Sequence, residues 1–155
     1  MENSGSLNVS LPTCRMAPTS QIDAYMTVAR DLLQGVEVLS GLNNIHPRSC
    51  ALIAAHSLEC ALKAFLCHKG KQKEIRQREI QHDLMALWDL SCKEGDLCIP
   101  ESPPDWIKML SSGHGPYYYF RYQVGENKAF VNAGSFPAMV PMAMGVKELL
   151  KKVDN

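Results

Sequence analysis

Apolar positions recur at helical spacing through most of the chain and almost nowhere alternate as they would in a strand. Ile22, Tyr25, Met26, Val28, Ala29, Leu32, Leu33, Val36 and Leu39 predict a first helix over Ser20–Leu39, opened by Ser20 and ended near Gly41-Leu42-Asn43-Asn44. A second helix is predicted over Arg48–Lys69, with Pro47 in its first turn and Gly70 as its C-terminal cap. Its apolar residues lie almost all round, the pattern of a helix covered by neighbours on several sides. Lys71–Gln81 is polar and reads as a connector or an outward extension. His82-Asp83 opens a third helix carrying Leu84, Met85, Leu87, Trp88 and Leu90, closed by Glu94-Gly95. Past the prolines at 100, 103 and 104, Asp105–Leu110 predicts a short fourth helix ended by Ser111-Ser112-Gly113. The segment 117–131 is aromatic and then turn-like, and predicts a short hairpin or an irregular crossing. A last helix is expected over Pro137–Val153, although Pro141 and Gly145 weaken its first half.

This organisation makes residues 1–18 an N-terminal tail rich in Ser, Asn and Pro, and 19–153 one all-α domain. At 155 residues the chain is long enough for a real core. Its formal net charge is zero, which argues against tight nonspecific binding of nucleic acid but leaves room for a local basic patch. The six cysteines include no C-x-x-C pair, and several fall in apolar helical stretches. They read as small hydrophobes in a reducing, cytoplasmic compartment. The start lacks a basic segment followed by an apolar run, so no export signal is expected. No uninterrupted run of about 18 apolar residues is present, so no membrane span is expected. The histidines show no ligand spacing with the cysteines, and no phosphate loop or dinucleotide fingerprint occurs, so neither metal nor cofactor is expected.

The second helix carries one polar stripe. His56, Glu59 and Lys63 stand at i, i+3 and i+7 on one face, flanked by Leu52, Ala55, Leu62 and Leu66. A carboxylate in that setting needs partners. Lys63 and His56 are the local ones, and a basic group from another element can complete the set. Three readings stand: a structural ion pair that fixes packing or a dimer seam, a polar pocket between helices that binds a ligand or positions a phosphate, and a lone catalytic role. Elsewhere, Lys69, Lys71, Lys73, Arg76 and Arg78 form a basic run that is either a solvated connector or a phosphate-contacting rim. Arg121 lies among the rings of Tyr117–Tyr122, which either stack on a base or close the core. Ser111, Ser112 and His114 are neighbours without the pattern of a nucleophile, base and orienting group.

The stretch Ala54-Ala55-His56-Ser57-Leu58-Glu59-Cys60-Ala61-Leu62-Lys63-Ala64-Phe65-Leu66, then Gly70, then His82-Asp83-Leu84 and Leu87, resembles the HEPN family of small helical domains. The resemblance covers about Tyr25–Leu90, and Phe120-Arg121-Tyr122 is similar to the Arg-Tyr that often precedes the family's last helix. It implies a bundle of four or five up-and-down helices, often a homodimer. Some members are metal-independent endoribonucleases in toxin–antitoxin, phage-defence or RNA-processing systems, using an Arg followed after four to six residues by His. Others bind nucleotides, RNA or a cognate partner protein. Here no His follows Arg121, whereas Arg76 and His82 have the spacing but precede the third helix.

The combined expectation is a HEPN-like noncatalytic module that binds nucleotide, RNA or a partner protein. Its site would be His56, Glu59 and Lys63, with Arg121 and Tyr122 approaching from the C-terminal part. The alternatives are an endoribonuclease using Arg76 and His82, and an assembly protein without a small ligand.

Overall fold

A computed structural model describes residues 20–41, 47–95, 97, 99–115 and 139–155. Among them lie five α-helices and no strand: α1 (Gln21–Ser40), α2 (Pro47–His68), α3 (Leu84–Lys93), α4 (Asp105–His114) and α5 (Met139–Asp154). The expected all-α bundle is what forms. The hairpin or crossing expected near 117–131 lies outside the described residues, as do the tail at 1–18, Arg121 and Tyr122.

The element ends follow local chemistry. Ser20 caps α1, its Oγ accepting from the Asp23 amide at 3.1 Å. Asp83 caps α3, its Oδ1 accepting from the amides of Met85 and Ala86 at 2.9 and 3.2 Å. After α2, Lys71 N donates to Leu66 O at 2.8 Å and Gly70 N to Cys67 O at 3.0 Å. That paired closure needs a left-handed residue, and Gly70 supplies it with φ +78°. The connector then makes a short 3-10 turn at Glu74–Arg76, with Ile75 buried.

Helix α2 is the axis of the domain: α1, α3, α4 and α5 all pack on it, α1 also meets α5, and α3 meets α4. Every residue from Leu58 to Cys67 is buried. Over Arg48–His68 this helix is long and apolar enough to cross a membrane by length and composition. Its most apolar stretch is 83% buried inside the bundle, as a core helix must be. The other helices each turn one stripe inward: Met26, Ala29, Leu33 and Val36 on α1; Leu84, Leu87, Trp88 and Ser91 on α3; Met142, Val146, Leu149 and Leu150 on α5. Ser57 Oγ donates to Ala29 O at 2.8 Å, which ties α2 to α1 and satisfies a buried hydroxyl. Trp88 meets Trp106 edge-on at 6.0 Å between ring centroids and donates to Pro100 O at 3.0 Å.

One boundary differs from expectation, and one helix tolerates residues expected to weaken it, each for an identifiable reason. Helix α4 does not stop at Ser111-Ser112-Gly113 but continues to His114. The cost of weak helix formers is offset there by burial, since Gly113 and His114 lie on the same inward stripe as Ile107 and Leu110. Helix α5 carries both Pro141 and Gly145. Pro141 falls in the first turn, where amides have no intrahelical acceptor to lose. Gly145 lies against Trp106, whose ring would be 3.6 Å from an added Cβ.

Candidate functional site

Glu59 occupies the middle of α2, and the bundle brings basic groups to it from three elements. His56 and Lys63 come from α2 itself, at one turn before and one turn after. His82 comes from the residue before the α3 cap, and His114 from the last turn of α4. The two carboxylate oxygens divide these partners. Oε1 accepts from Lys63 Nζ at 2.5 Å and meets His82 Nδ1 at 3.1 Å. Oε2 meets His114 Nε2 at 2.5 Å and faces His56 Nδ1 at 3.9 Å, too far for a hydrogen bond. The His56 and His114 rings are 6.3 Å apart between centroids.

The cluster is graded in exposure. Its floor is buried, with side-chain exposures of 2% for Glu59, 7% for Lys63 and 1% for His114. Its rim reaches solvent, with 37% for His56 and 35% for His82. Tyr25 of α1 lies over the Lys63 ammonium, 5.7 Å from ring centroid to Nζ. The floor is thus sealed by packing, and the two half-exposed imidazoles are where the cluster meets solvent.

Burial alone raises the Glu59 carboxyl pKa, but the hydrogen bond with His114, the imidazole of His56 and the Lys63 ammonium outweigh it and hold the pKa well below the usual carboxylate range. An ionised carboxylate only accepts hydrogen bonds. His82 therefore carries a proton on Nδ1 and His114 one on Nε2. This leaves two buried nitrogens without a hydrogen-bond partner among the described residues, His56 Nδ1 and His114 Nδ1. Next to the cluster, burial first and the Glu59 charge second push the Cys60 thiol up to about 12, so Cys60 is a neutral packing group. Cys50 and Cys67 are likewise buried free thiols, and Cys92 is half-buried.

The stripe read from sequence is therefore the scaffold of a larger cluster, and His82 joins it. Arg76 lies in the 3-10 turn, exposed, with Nη2 donating to Gln21 Oε1 of α1 at 3.3 Å. The residue that sequence reading missed is His114. Its signal was periodicity: it stands at i+4 from Leu110 and i+7 from Ile107, so a helix running one turn further turns it inward. No family model, curated protein or solved structure matches the chain. The geometry of this cluster therefore carries the functional argument.

Proposed function

We propose that the chain is a HEPN-like noncatalytic binding module whose ligand is a phosphate-bearing nucleotide or RNA, held at the rim of the Glu59 cluster. The observation that carries this reading is the pair of half-exposed histidines, His56 and His82, above a floor whose single carboxylate is already neutralised by Lys63. Protonating any imidazole of the cluster makes it locally cationic, although the whole chain is neutral. A buried floor with an accessible imidazole rim suits an anion that arrives from solvent. The homodimer and the toxin–antitoxin or defence setting belong to the HEPN resemblance and are part of this proposal.

The test is isothermal titration of ATP, and separately of a short single-stranded RNA, into the chelator-treated chain. Binding should weaken about tenfold or more in His56→Ala and His82→Ala, and should fall steeply with added salt. Unchanged affinity in both variants would contradict the site. Absence of binding to either probe would favour a protein partner.

One observation favours a second reading, a metal-independent endoribonuclease. Glu59 holds Nδ1 of a half-exposed histidine, the way a carboxylate orients an imidazole for proton transfer. In that mechanism His82 moves a proton at the 2′-hydroxyl or the leaving oxygen. Cleavage of RNA in the presence of EDTA, lost in His82→Ala, would select it over the binding module.

A further inference from the structure

We propose that His56, Glu59 and His114 form a binding site for one divalent transition-metal ion of the zinc class. The set differs from the Cys–His spacings of structural zinc sites, because it consists of a His-x-x-Glu turn on α2 completed by a histidine from α4. One imidazole nitrogen from each histidine and one carboxylate oxygen lie within 4.8 Å of one another. Two imidazoles and one carboxylate are a donor set that zinc and its neighbours take, with further positions left for water or an anion.

Three features of the geometry point to an ion rather than to a closed hydrogen-bond network. The first is the division of Glu59. Oε1 is occupied by Lys63 and His82, while Oε2 faces only the two proposed ligand histidines among these groups. A carboxylate bound to metal through one oxygen and braced through the other has this arrangement. The second is spacing. Ligand atoms about 2.0–2.2 Å from a tetrahedral ion are roughly 3.3 Å apart. The two separations at Oε2, 2.5 Å to His114 and 3.9 Å to His56, bracket that value. Opening the first by less than 1 Å and closing the second by less than 1 Å would seat the ion. The third is His56 Nδ1, a buried nitrogen with no hydrogen-bond partner among the described residues, although its side chain reaches solvent. An unsatisfied buried nitrogen is costly, and an ion at Oε2 would satisfy it.

Binding through His114 Nε2 requires that this nitrogen give up its proton. The ring passes to its Nδ1–H form with no change in charge, and the ion's bonds must offset a buried Nδ1–H that has no partner among the described residues. Lys63 stays on Oε1 and lowers the affinity for a cation without blocking the ligand side. The bound ion would carry positive charge beneath the rim and offer an open position to a phosphate oxygen. The site stands on its own geometry whether or not a nucleotide binds there.

The experiment is titration of cobalt(II) chloride, then of zinc chloride as competitor, into the chelator-treated full chain kept reduced by a phosphine. Cobalt reports its ligands by its visible bands. We expect one cobalt per chain, d–d bands without the charge-transfer band of a thiolate, and displacement by zinc. His56→Ala, which alters a half-exposed residue, should weaken cobalt binding about tenfold or more, and His114→Gln should weaken it further. A thiolate charge-transfer band, equal affinity in wild type and His56→Ala, or no bands at all would each overturn the proposal. Because the nucleotide titration uses chelator-treated protein, loss of the metal site and loss of the ligand site give separate results.

Discussion

Two of the sets of ion pairs that tie this bundle together sit in opposite environments. Between α1 and α5, Arg30 grips both carboxylate oxygens of Asp154 at 2.7 and 2.6 Å, and Lys147 donates to Glu37 at 2.6 Å. Both pairs are about half exposed and border an open groove also lined by Leu33, Gln34 and Leu150. At the heart of α2, Glu59 makes contacts just as short but almost no part of it meets water. The distances alone would rank the two sets as equals. Environment separates them: an exposed pair exchanges water for a partner and gains little, whereas a buried carboxylate has no alternative to its partners. The α1–α5 pairs steer packing, while the Glu59 cluster is a commitment that the fold is built to satisfy.

The largest expected effect follows directly. Glu59→Ala leaves Lys63 buried without its carboxylate and should cost about 3–5 kcal/mol in urea unfolding. Arg30→Ala, at the other extreme, should cost under about 1 kcal/mol and less still in high salt. Equal costs would break the comparison. The direction of the Glu59 pKa gives a second contrast. Its folded value lies below the ordinary one, so its contribution is full above the unfolded value of about 4.3 and is lost as pH falls toward the folded value. Unfolding measured in chelator should therefore lose stability more steeply below about pH 4 in wild type than in Glu59→Gln, with Arg30→Ala following wild type. Parallel acid profiles for wild type and Glu59→Gln would remove Glu59 from acid unfolding. A smaller effect sharpens the division between floor and rim. His56→Ala removes one of the groups that favour the ionised Glu59 but alters a half-exposed side chain. It should cost about 1 kcal/mol or less, well below Glu59→Ala, while weakening ligand binding.

Much of this was legible in the sequence because it is local. The ends of α1, α2 and α3 are written in Ser20, Gly70 and Asp83, each acting on amides or carbonyls within a few residues. The polar stripe on α2 was legible for the same reason, as a single helix places His56, Glu59 and Lys63 on one face. What could not be read is what the tertiary fold delivers. His114 reaches Glu59 across 55 positions, and Arg30 reaches Asp154 across 124. No spacing rule links such residues. Between these limits lies α4, where Ser111, Ser112 and Gly113 signalled an end that burial of Gly113 and His114 overrode. Local propensity lost there to packing, and the residue it concealed is one of the closest contacts of the site.

The most direct test of the central claim is the protonation pattern of the histidine rings, read by nitrogen-15 NMR on the chelator-treated chain. If one ionised carboxylate gathers the cluster, His82 should carry its proton on Nδ1 and His114 on Nε2, and Glu59→Gln should shift both rings together while leaving His68 on the outer end of α2 unchanged. Ring signals of His82 and His114 that resemble free imidazole, and that do not move when Glu59 is replaced, would contradict the account.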